Sequence, residues 1–148
     1  MNPVENKYAR WFGRVVLVGV AANLCLAIPA LFYPNAVLSA LGLKPALESP
    51  IWPSFASLLL LLLSGFYVPG ALDPQRYRAS AVLAVAARFA GVIFFLAATH
   101  EYPLFGFFDL SFGLPEAILL TLYLRSEGRA PAPVAPVALK GEHVQVEG

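Results

Sequence analysis

Arg88 and Glu116 are ionisable residues set in the middle of long apolar runs, ASAVLAVAARFAGVIFFLAA (79–98) and FFDLSFGLPEAILLTLYL (107–124). Charge is costly in hydrocarbon, so such a residue either has a partner or does chemistry. A guanidinium and a carboxyl can form an ion pair, relay protons, or seat the polar head of a ligand. Asp109 and Gly113 precede Glu116 by seven and three residues and share its face of a helix. Arg88, Gly91 and Phe95 share a face of the preceding helix. Small residues on these faces let helices approach closely. The two runs are joined by a short loop and are expected to be antiparallel neighbours, with Arg88 and Glu116 as an ion pair. Leaving either one alone would cost several kcal/mol.

Other groups add little chemistry. The only histidines are His100 and His143, and neither lies inside a run, so haem ligation across a bundle is not expected. His100 and Glu101, with Asp109, are the nearest approach to a metal set. Adjacent His-Glu reads as a solvated loop, and no metal is expected. The single cysteine, Cys25, reads as a small apolar filler. No Gly-rich phosphate loop and no Cys-x-x-Cys pair is present.

The elements that hold the charged pair are membrane helices. Hydrophobic residues make up 59% of the 148-residue chain and charged residues 13%. Soluble domains average about 45–50% and about 25%. A net charge of +1 gives no footprint for nucleic acid. A spanning helix needs about 20 apolar residues. Four runs qualify, at 15–32, 54–72, 79–98 and 107–124. The first is too long for a signal-peptide core and no cleavage site follows it, so it is read as an uncleaved helix. The fold class is therefore all-α: an integral membrane four-helix bundle of two antiparallel hairpins, residues 1–125.

Basic residues set the orientation. Lys7, Arg10, Arg14, Arg76, Arg78, Arg125, Arg129 and Lys140 share one side, against Lys44 alone on the other. Both termini are expected in the cytoplasm, with the protein in a bacterial inner membrane. Tyr8, Trp11, Trp52, Tyr77, Tyr102 and Tyr123 fall near the two interfaces, as an aromatic belt should.

At about 1.5 Å per residue, four polar residues fall at one depth. Asn23, Ser64, Arg88 and Glu116 each lie roughly 12–13 Å from the cytoplasmic end of their helix. Asp109 lies nearer the outer end. The layer can be read as a clasp that fixes helix register, as a contact between subunits, or as a substrate, proton or quinone site.

The connections differ in kind. Residues 73–78 (DPQRYR) form a tight turn begun by Asp-Pro. Residues 34–48 (PNAVLSALGLKPALE) are too apolar for a plain loop. Pro34 is expected to open a short interfacial helix and Gly42 to close it. Residues 126–148 hold the Pro-rich APAPVAPV, an extended tail whose Pro131, Pro133 and Pro136 would lie on a cytoplasmic partner.

With its four helices, the segment FYPNAVLSALGL after the first and FGLPEA in the last, the chain resembles small bacterial four-helix membrane proteins of the DoxX-like and related uncharacterised families over residues 10–125. Some DoxX-type proteins are subunits of quinone-linked oxidoreductases, but most members have no known activity, so the resemblance implies little chemistry. No cofactor is expected beyond lipid or quinone contact. The expected role is a non-catalytic accessory subunit of a respiratory or photosynthetic membrane complex, with lipids and membrane proteins as partners. A quinone-linked oxidoreductase subunit and a small proton-coupled transporter are the alternatives.

Overall fold

The computed structural model describes residues 7–44, 49, 51–99 and 102–127. Among these residues five α-helices form: α1 (Lys7–Phe32), α2 (Pro34–Ala40), α3 (Ile51–Leu72), α4 (Arg78–Ile93) and α5 (Pro103–Glu127). A π-helical turn, Phe94–Thr99, continues α4. Four of these segments are long and apolar enough to cross a bilayer, namely Lys7–Phe32, Ile51–Leu72, Arg78–Ala97 and Pro103–Glu127. The protein is an all-α, multi-pass four-helix membrane bundle. Around the bundle α1 packs on α3, α3 on α4, α4 on α5, and α5 back on α1. Each neighbour runs antiparallel to the next, the up-down-up-down arrangement favoured by short connections.

The helices begin earlier than the apolar runs. α1 starts at Lys7, and its first two turns carry Lys7, Arg10 and Arg14. Straight-chain basic residues are good helix formers, so the helix continues past the hydrocarbon edge. α5 starts at Pro103, whose fixed φ and missing N–H suit the first helical position.

The short helix α2 opens on Pro34 and packs on α1, with Pro34 and Leu38 buried. Its end is a Schellman motif. Gly42 has φ +71°, its N–H donates to Ser39 O at 3.0 Å, and Leu43 N–H donates to Leu38 O at 2.9 Å. The remainder of the 34–48 segment is described only to Lys44. The Asp-Pro turn is held by Asp73, whose Oδ1 accepts from the Arg76 N–H at 3.0 Å.

The apolar core fills the half of the bundle near the α1 start, the α3–α4 turn and the α5 end. Phe12, Val16, Val20, Tyr67, Ala71, Ala81, Ala84, Leu120 and Tyr123 form it. Backbones come very close here. A Cβ on Gly13 would overlap the Ala71 carbonyl, and one on Gly70 would overlap the Ala81 N. At the edge of this core the Ser80 hydroxyl enters the hydrogen-bond ladder of α3. It accepts from the Gly70 N–H at 3.0 Å and donates to the Phe66 carbonyl. Those two backbone groups are helical partners four residues apart, so the hydroxyl bridges a rung of α3. Ser80→Ala is expected to cost about 1–3 kcal/mol, the penalty when a buried polar group loses its partner, read from denaturant unfolding in detergent. Unchanged stability would mean that the rung closes directly without cost.

Candidate functional site

Above the apolar core, each of the four long helices contributes to one polar layer. Asn23 (α1), Ser64 (α3), Arg88 (α4) and Glu116 (α5) are buried, at 1%, 0%, 3% and 1% relative exposure. Their apolar surroundings would charge each of them a desolvation penalty, so partners decide whether the layer is stable. Asn23 Nδ2 donates to Ser64 Oγ at 3.0 Å. Arg88 Nη1 donates to Asn23 Oδ1 at 3.2 Å. This chain of bonds ties α4 to α3 through α1.

The ion pair differs from the expected one. Arg88 Nη1 pairs with Asp109 Oδ1 at 2.8 Å, not with Glu116. The reason lies in a glycine on the facing helix. Gly91 is one turn above Arg88, and a Cβ there would overlap the Asp109 carboxylate. With hydrogen in that place, Asp109 tucks against the α4 backbone and meets the guanidinium. Gly113 plays the reciprocal part. A Cβ on it would stand 2.9 Å from Arg88 Cβ, so Arg88 is level with Gly113, between Asp109 and Glu116.

Glu116 is left over. Among the described residues its Oε2 has no hydrogen-bond partner, and neither do Arg88 Nε and Nη2. Gly19 of α1 faces these atoms. A Cβ on Gly19 would be 2.7 Å from Arg88 Nη2 and 3.5 Å from Glu116 Oε1. The Phe108 and Phe112 rings cover the guanidinium at 5.7 Å and 5.2 Å from its central carbon. Such cation–π contacts stabilise a charge without using its N–H groups. The site thus contains one guanidinium, two carboxyls, an amide and a hydroxyl. Three of its polar atoms are open to a further partner, and the cationic group is already engaged by one carboxyl.

Tyr67 belongs to this neighbourhood and was not foreseen. It is 3% exposed and lies within electrostatic range of Arg88, Asp109 and Glu116. The signal was present, since Tyr67 follows Ser64 by three residues and so shares its face of α3. Cys25 faces outward instead of filling the interior. The expected tail surface of Pro131, Pro133 and Pro136 and the His100–Glu101 pair lie outside the described residues.

Comparison of the chain with protein-family models, with curated proteins and with solved structures finds no match.

Proposed function

We propose that the protein is a small proton-coupled membrane carrier, with Glu116 as the exchanging group. The observation that carries this reading is the imbalance of the polar layer. Asp109 takes the guanidinium, and Glu116 stays buried with an oxygen that has no partner among the described residues. A surplus carboxyl at such a depth needs a counter-charge, and a proton is the smallest that can reach it. Asp109 lies nearer the end away from the basic residues, and its side chain is 19% exposed, so it sits between the solvent of that end and Glu116. In the orientation favoured by Lys7, Arg10, Arg14, Arg76, Arg78 and Arg125, the termini are cytoplasmic in a bacterial inner membrane.

Infrared difference spectra of the reconstituted protein test the proposal. The neutral-acid carbonyl bands that rise and fall reversibly with pH are expected to include one that is lost in Glu116→Gln while those of the other carboxyls remain. No such band in the wild type, or the same band in Glu116→Gln, overturns the assignment.

An accessory-subunit role is the second reading. It is supported by the exposed aromatic and aliphatic side chains at the end opposite the basic residues. Phe32, Tyr33, Ile51 and Trp52 are each at least 65% exposed there. Such a patch suits helices of a larger complex. Native purification in mild detergent separates the readings, because a subunit brings its complex with it and a carrier is recovered alone.

A further inference from the structure

Topology gathers the basic residues at one end of the bundle. The α1 start carries Lys7, Arg10 and Arg14, the α3–α4 turn carries Arg76 and Arg78, and the α5 end carries Arg125. Two shallow apolar grooves run along the helices from this end. One follows α4 past Arg78, Ala79, Val82, Leu83 and Ala86. The other follows α5 past Arg125, Leu122, Thr121, Ile118 and Ala117. Each has an exposed arginine at its water end. From there each rises eight residues, or roughly 12 Å at the helical rise. Half the hydrocarbon thickness of a bilayer is about 15 Å. The grooves therefore match the length of the inner part of an acyl chain whose headgroup lies beside the arginine.

From this charge and length complementarity we infer that the α4 and α5 grooves hold anionic phospholipid from the leaflet at the basic end. The phosphate meets Arg78 or Arg125, and an acyl chain lies against Val82 and Leu83, or against Ile118 and Leu122. Arg78 also bonds Glu127, yet its side chain is 58% exposed, which leaves guanidinium N–H groups for a phosphate. Ala79 and Ala86 on α4, and Ala117 on α5, leave room that a larger side chain would fill. An acidic headgroup is favoured over a zwitterionic one because basic residues near a membrane surface attract net negative charge.

The test uses the full chain reconstituted in equal parts phosphatidylglycerol and phosphatidylcholine, released gently and weighed by native mass spectrometry. Retained lipid is expected to be enriched in phosphatidylglycerol. Arg78→Gln and Arg125→Gln should each reduce that enrichment about fivefold, the equivalent of about 1 kcal/mol per basic residue. Arg14→Gln, at the same end but beside neither groove, should leave it unchanged. Ala86→Leu, which fills the α4 groove without touching a charge, should reduce retained lipid. Equal retention of the two lipids, or a loss in Arg14→Gln as large as in Arg78→Gln, overturns the inference in favour of diffuse surface charge. Helical circular dichroism of each variant confirms that the bundle is intact before the lipid is counted.

Discussion

Arg88→Leu is expected to destabilise the bundle by about 3–5 kcal/mol, the cost of removing one partner from a buried ion pair. The substitution strips Asp109 of its pair and Asn23 of a donor, and it leaves two carboxyls in hydrocarbon with no guanidinium. Part of the loss is packing, because the Arg88 stem lies on Gly113 and its head lies under the Phe108 and Phe112 rings. The triple variant Arg88→Leu/Asp109→Leu/Glu116→Leu should recover most of the stability, because apolar groups of similar volume replace every charge of the layer. Unfolding in mixed micelles, followed by circular dichroism, measures both. If Arg88→Leu alone is as stable as the wild type, the layer is wet and carries no buried-charge penalty. The triple variant also bears on function. A clasp that only holds register survives it, whereas a proton-exchanging site is abolished while the bundle stays folded.

Gly91→Ala should cost about 1–3 kcal/mol, the range for forcing an extra carbon into a packed interior. The added Cβ would occupy the position of the Asp109 carboxylate. Asp109 must then turn away, and its bond to Arg88 is lost. Gly65→Ala in α3 is the contrasting case. Its Cβ would meet nothing within 4 Å, so it is expected to be neutral or to stabilise by about 0.5–1 kcal/mol through helix propensity. The double variant Gly91→Ala/Asp109→Ala removes the clash. It should be no less stable than Asp109→Ala alone, as read by the same unfolding assay. A further loss in the double variant would place the effect in the backbone contact and not in the displaced carboxylate.

The spanning helices were legible because apolar runs of about 20 residues have few other readings. Asn23, Ser64, Arg88 and Glu116 could be put at one depth because the helical rise is constant. The choice of partner for Arg88 could not be read this way. Asp109 and Glu116 lie on the same face of α5, one to each side of Arg88, and a long side chain reaches either. The hydrogen of Gly91 decides the matter, and it acts across a helix interface that spacing within one helix does not describe. The α1 start was hidden for a different reason. Apolar content marks the hydrocarbon, whereas helix propensity carries Lys7, Arg10 and Arg14 into the same helix. Tyr67 could be found only through its three-residue spacing from Ser64, because an aromatic residue by itself has little contrast among the apolar residues of α3. The Ser80 insertion had no local signal, because its partners Phe66 and Gly70 belong to another helix.

That insertion gives the last turn of α3 a divided allegiance. Pro69 has no N–H to donate, and the Gly70 N–H is taken by a hydroxyl of α4. One rung is therefore absent, and the next is shared with the facing helix. The hydroxyl can take its place only after the hairpin has closed, so α3 leaving the ribosome as a lone segment has the Gly70 rung bonded to itself. The α3–α4 hairpin thereby acquires a record of its own assembly: amide exchange at Gly70 reports whether α4 has docked, while the apolar turns before it report only that α3 is in the membrane.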